Sequence, residues 1–137
     1  MKQITPYLFF NGNCREAMNF YKQCIGGELT ITTFGEGDPD ARPEAKDRVI
    51  HARLERGPTL LMASDNMPDM PLTPGDNVSL SIACDSADEV KKAFTALSAG
   101  GKSIMAPADT FWNAHFAMFN AKFGMHWMLN FDYPKKA

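Results

Sequence analysis

The sequence predicts an α+β fold of two tandem βαβββ modules, forming a cupped mixed β-sheet with the helices on its outer face. Three observations carry that expectation. A strand–cap–helix–GlyGly string occurs twice, the two copies share one offset, and each is followed by three strand-like runs. The chain is expected to be one domain over residues 1–137. Module 1 covers about 1–66, a connector about 65–76 and module 2 about 77–137.

The run ITPYLFF is apolar enough for a buried strand. Next, Asn13 and Glu16 have capping-box spacing, an N-cap acceptor with Glu three residues on. Ala17, Phe20, Tyr21, Cys24 and Ile25 form the stripe of an amphipathic helix, and Gly26 and Gly27 end it. ELTITTF reads as a strand and EGDPDARPEAKD as a polar loop. RVIHARLE and PTLLMAS supply the last two strands of the module. DNMPDMPLTPGDN, with three prolines, is the connector.

The second half repeats the grammar. VSLSIAC is strand-like, Ser86 and Glu89 are spaced as a second capping box, and Val90, Ala93, Phe94 and Leu97 give the helical stripe before Gly100 and Gly101. Glu16 to Glu89 is a shift of 73 (89 − 16), and Gly26 to Gly100 one of 74 (100 − 26). KSIMAP, FWNAHFAMF and MHWMLNF complete the module, with a turn over residues 120–124.

Composition narrows the function classes. A formal net charge of −2 with scattered Lys and Arg argues against nucleic acid or an acidic membrane surface as partner. No apolar run approaches the about 20 residues that span a bilayer. The N-terminus shows no cleavable small-residue site, so no signal peptide is expected and the location is read as cytoplasmic. Cys14, Cys24 and Cys84 lack zinc spacing and lie in or beside apolar segments, as reduced core thiols do. Cys14, near a helix N-terminus, is the one whose thiolate would be favoured, but no partner base can be named.

A strand shows alternate residues to its two faces, and the more apolar phase should lie under the helix. That phase is Ile50, Ala52 and Leu54; Leu61 and Ala63; Val78, Leu80 and Ile82; Ala114, Phe116 and Met118; and Trp127, Leu129 and Phe131. The other face then carries His51, Met62, Ser64, Asn77, Ser79, His115, His126, Met128 and Asn130, which are the candidate ligand-binding residues. Met62, Met128 and Leu8 would be odd choices for open water, which favours a pocket there over a solvated sheet surface.

PYLFFNGNCREAMNFY, LLMASD and FGMHWMLNF together resemble the PhnB-like branch of the vicinal oxygen chelate (glyoxalase/bleomycin resistance/dioxygenase) superfamily, over nearly the whole chain. The resemblance implies paired βαβββ modules, a cavity enclosed by a cupped sheet and a homodimer. It also implies a divalent metal on four His/Glu-type ligands in many members. Here the aligned positions are Pro6, Met62, Asn77 and Met128. Proline has no side-chain donor and a thioether is a poor ligand for a hard cation, so neither a metal nor another cofactor is expected. Three histidines on one face could form another metal site, but they lack close spacing. Relatives sometimes carry a ubiquinone-pathway methyltransferase name, yet no Gly-rich turn links the first strand and helix to hold a nucleotide cofactor.

The catalytic residues are unassigned. The expected function is metal-independent binding of a small, partly apolar organic molecule. The alternatives are an enzyme using His51, His115 or His126 as acid/base, and a dimeric structural module with a vestigial cavity.

Overall fold

A computed structural model describes residues 1–135. The chain divides into two compact units, Met1–Thr73 and Pro74–Ala137. In the first, β1 (Tyr7–Phe10), α1 (Cys14–Ile25), β2 (Glu28–Thr33), a single-turn α2 (Phe34–Gly37), a 3-10 turn (Pro43–Ala45), β3 (Val49–Arg56) and β4 (Thr59–Asp65) follow in order. In the second come β5 (Leu80–Ala83), α3 (Ala87–Leu97), β6 (Lys102–Asp109), β7 (Ala114–Asn120) and β8 (His126–Asp132). Each unit holds one four-stranded mixed sheet, ordered β1-β4-β3-β2 and β5-β8-β7-β6. In both, the first and last strands pair in parallel and the others antiparallel. Two βαβββ modules are thus present, and β4 of the first runs to Asp65.

Helix α1 packs on β2, β3 and β4, and buries Cys14, Ala17, Met18 and Tyr21, an i, i+3, i+4, i+7 face. Beneath it lie Leu8, Phe10, Ala52, Leu54, Leu61 and Ala63. Helix α3 buries Val90 and Leu97 over Phe119, Trp127 and Leu129, with the Phe94 and Phe119 rings edge to face at 5.6 Å. Burying each large side chain contributes about 1.5–3 kcal/mol.

The double glycines that marked the repeat have a physical cause. A Cβ on Gly27 would stand 2.3 Å from the Glu55 carbonyl oxygen, and one on Gly101 would stand 2.1 Å from that of Asn120. In each unit the chain leaving the helix passes so close to the neighbouring strand that no side chain fits.

Helix capping differs from the expectation. Asn13 is at the N-cap of α1 but makes no side-chain capping bond. The buried Asp65 carboxylate takes its place, accepting the Gly12 and Cys14 N–H groups at 2.9 Å on Oδ1, and that of Val49 at 2.8 Å on Oδ2. Ser86 does cap α3, accepting from Glu89 N at 3.0 Å. A complete capping box sits where the end of a strand and the start of a loop were expected, with Thr33 Oγ1 and Glu36 Oε1 each accepting the other residue's backbone N–H at 3.2 Å, and it nucleates α2.

Three phase expectations are corrected. In β3 the ladder steps from Thr32↔His51 to Thr33↔Val49, so Ile50 is the extra residue of a bulge and Val49 enters the core in its place. Val78 precedes β5 and is 71% exposed. In β7 the core phase is His115, Ala117 and Phe119, which lie opposite Phe131, Leu129 and Trp127. Both phases of β7 are apolar, so alternation could not choose between them. The ladder with β8 does.

Candidate functional site

Opposite α1, the sheet of the first unit presents Tyr7 and Phe9 from β1, Met62 and Ser64 from β4, and His51, Arg53 and Glu55 from β3. Parallel pairing sets Tyr7 opposite Met62 and Leu8 opposite Ala63. Leu8 therefore goes under the helix, contrary to expectation, and Tyr7 takes the helix-free face. The Tyr7 hydroxyl lies 3.2 Å from His51 Nδ1, with the two rings 5.8 Å apart. The Tyr7 and Phe9 rings are 5.1 Å apart, and Phe9 is 51% exposed. Arg53 Nε donates to Glu55 Oε1 at 2.6 Å, so these two charges on the face balance. Ser64 is buried opposite Phe9.

The helix-free face of the second unit is built to the same plan with different chemistry. Met128 stands opposite Met118 and Ser81, much as Met62 stands opposite Arg53 and Tyr7. Asn130 lies opposite Phe116 and Ala83 and donates to Asp132 Oδ1 at 2.9 Å. The Phe116 ring meets that of Trp112 edge-on at 5.5 Å, and Trp112 meets the fully exposed Phe111 at 5.1 Å. Where the first face holds a phenol, an imidazole and an ion pair, this one sets the thioethers of Met118 and Met128 and the Phe116 ring beside Asn130 and His126.

The three histidines have different surroundings. His115 lies on the helix side of its sheet, not on the ligand face where it was expected; its Nδ1 is 2.8 Å from Asp109 Oδ1 and its Nε2 is buried without a partner among the described residues. Asp109 Oδ1 also accepts the Tyr133 hydroxyl at 2.5 Å. Those two bonds hold the Asp109 carboxyl below the usual carboxylate range, the Tyr133 bond first. His126 is on the helix-free face, but Nδ1 meets Asn120 Oδ1 and Nε2 meets the Gly75 carbonyl at 3.0 Å. It ties down the connector. Only His51 combines a helix-free face with a ring nitrogen lacking a described partner.

Asn77 and Ser79 lie in the exposed segment before β5. Of the four metal-ligand positions, Pro6 offers only its carbonyl, which accepts from Met62 N at 3.1 Å, while Met62 and Met128 offer thioethers. Among the described residues no three His, Cys, Asp or Glu side chains gather in a way that could hold a metal. The donor set does not fit the superfamily's divalent ion. Cys14 is fully buried, and burial pushes its thiol up to about 12, so it is a packing residue and not a thiolate.

Two βαβββ modules, each with its own mixed sheet, define a protein of the glyoxalase-like, vicinal oxygen chelate class. The chain belongs to its PhnB-like branch, matching over residues 2–130 the family described as 3-demethylubiquinone-9 3-methyltransferase. It is similar to protein YjdN of Escherichia coli K12, at 32% identity over 93% of each chain. Among solved structures it resembles protein PA1353 from Pseudomonas aeruginosa, with 44% identity, a TM-score of 0.87 and coverage of 96% of this chain and 98% of that one. It also resembles a putative 3-demethylubiquinone-9 3-methyltransferase, PhnB protein, from Bacillus cereus, with 28% identity, a TM-score of 0.74 and coverage of 95% and 99%.

Proposed function

We propose that this protein binds a small, partly apolar organic molecule on its helix-free sheet faces, without a metal ion. The observation that carries the reading is the composition of those faces, with Tyr7, Phe9 and Met62 beside His51, and Phe116, Met118 and Met128 beside Asn130. Apolar walls with a few placed hydrogen-bonding groups suit an organic ligand, and the thioethers at two superfamily ligand positions suit a hard cation poorly. Family membership supports a glyoxalase-like protein, and the relatives' methyltransferase description gives no residue in this chain a role.

The test is a fragment titration of 15N- and methyl-labelled protein treated with EDTA, together with metal analysis of untreated protein. Partly apolar fragments should shift the Met62, Met128 and His51 signals, and His51→Ala or Asn130→Ala should weaken binding without unfolding the chain. Stoichiometric tightly held metal would overturn the metal-independent reading. If no fragment shifts either face, the faces are vestigial surfaces of a structural module. We also propose that the protein acts in the cytoplasm as a homodimer, which light scattering on a size-exclusion column checks.

A further inference from the structure

Resting on that reading, we infer that the Tyr7–His51 pair recognises a neutral phenolic or enolic hydroxyl of the ligand. The two side chains come from different strands of one sheet and meet on its helix-free face at 3.2 Å. One hydrogen bond between them consumes Nδ1 and leaves Nε2 without a described partner. A neutral imidazole carries one proton on two nitrogens, so the pair has two arrangements. With the Tyr7 hydroxyl donating to Nδ1, Nε2–H offers a donor. With Nδ1–H donating to the Tyr7 oxygen, Nε2 becomes an acceptor and the phenol O–H is released to donate. A ligand hydroxyl, itself both donor and acceptor, is served by either arrangement. A carboxylate or an ether finds one donor in each, Nε2–H in the first and the Tyr7 O–H in the second, but it cannot donate to the Nε2 lone pair that the second arrangement exposes.

Two neighbours narrow the class. The Arg53 guanidinium is matched by Glu55 at 2.6 Å, so these two charges on the face balance and do not favour an anion. Beside the pair, Phe9 is half exposed and its ring is 5.1 Å from that of Tyr7, an aromatic edge against which a flat ring packs. A hydroxyl on an unsaturated or aromatic carbon satisfies both features at once.

The experiment titrates the labelled protein with three probes that share a phenyl ring: phenol, anisole and benzoate. The readouts are the His51 ring nitrogen shifts, which report its tautomer, and the backbone amides of Tyr7, Phe9 and Met62. Phenol should perturb these signals and bind about fivefold more tightly than anisole, the weight of one neutral hydrogen bond. Tyr7→Phe keeps the ring against Phe9 and should bring phenol and anisole to parity while shifting the His51 nitrogen pattern. Equal binding of phenol and anisole at these residues overturns the inference and leaves the binding face standing. Benzoate binding best, or Tyr7→Phe keeping the preference for phenol, overturns it as well. If no probe moves any signal of this face, both the inference and the binding-face reading fail for the first unit.

Discussion

Asp65 caps the first helix from 51 residues away, its Oδ1 accepting the Cys14 N–H at 2.9 Å. The same oxygen takes Gly12 N–H and the other oxygen takes Val49 N–H, so one buried carboxylate ties together β4, the β1–α1 turn and β3. An N-terminal N–H without a partner is costly when buried, and a negative charge there also faces the positive end of the helix.

Asp65→Asn turns one acceptor oxygen into a donor that faces backbone N–H, so it should destabilise the fold by about 2–4 kcal/mol. Urea unfolding followed by circular dichroism measures it. A loss under about 1 kcal/mol would mean that the Asn13 side chain, or water, takes over the cap.

Gly27→Ala and Gly101→Ala should each destabilise more than Gly57→Ala. The first two place a Cβ 2.3 Å and 2.1 Å from a backbone carbonyl oxygen, whereas at Gly57 (φ +53°) nothing lies within 4 Å. Gly57→Ala should cost about 1 kcal/mol from its left-handed backbone alone. Melting temperatures of the three variants decide the order.

Burial raises the Cys14 thiol from 9.0 to about 12. In the native protein it should resist iodoacetamide at pH 8, alkylating at least about 100-fold more slowly than in urea, as peptide mass spectrometry can follow. Below pH 9 the thiol is protonated in both states and contributes no pH dependence. Between about 9 and 12 the unfolded chain loses the proton that the native chain keeps, so stability should fall as pH rises through that window. Cys14→Ala should remove that part of the slope.

The Tyr133 hydroxyl and His115 hold the Asp109 carboxyl low, and Asp109 in turn pushes the Tyr133 phenol up. A depressed carboxyl stabilises above its unfolded range, and that stabilisation is lost as pH falls through its lower folded value. The stability difference between the protein and its Asp109→Asn variant should therefore shrink on acidification. The effect should be small, because Asp109 is exposed. Acid titrations of the two proteins in parallel measure it.

Much of this architecture is legible in the chain. Helix stripes, strand alternation and the paired glycines depend on neighbours within a few residues, so both modules could be read from local periodicity. The thioethers at Met62 and Met128 were equally plain, and with them the poor fit to a hard metal. Register was not legible. Alternation gives two phases, and where both are apolar, as in Ala114 to Phe119, only the partner strand selects one; that choice carried His115 to the helix side. The bulge at Ile50 and the parallel offset that brings Tyr7 to the helix-free face have the same origin. Long-range hydrogen bonds are also invisible to spacing, so a local capping box at Asn13 was expected where Asp65 does the work. Which residues form each strand and helix is set by sequence periodicity. Which of them meet, as Tyr7 meets His51, is decided by strand pairing, because contacts across a sheet depend on register between segments far apart in the chain.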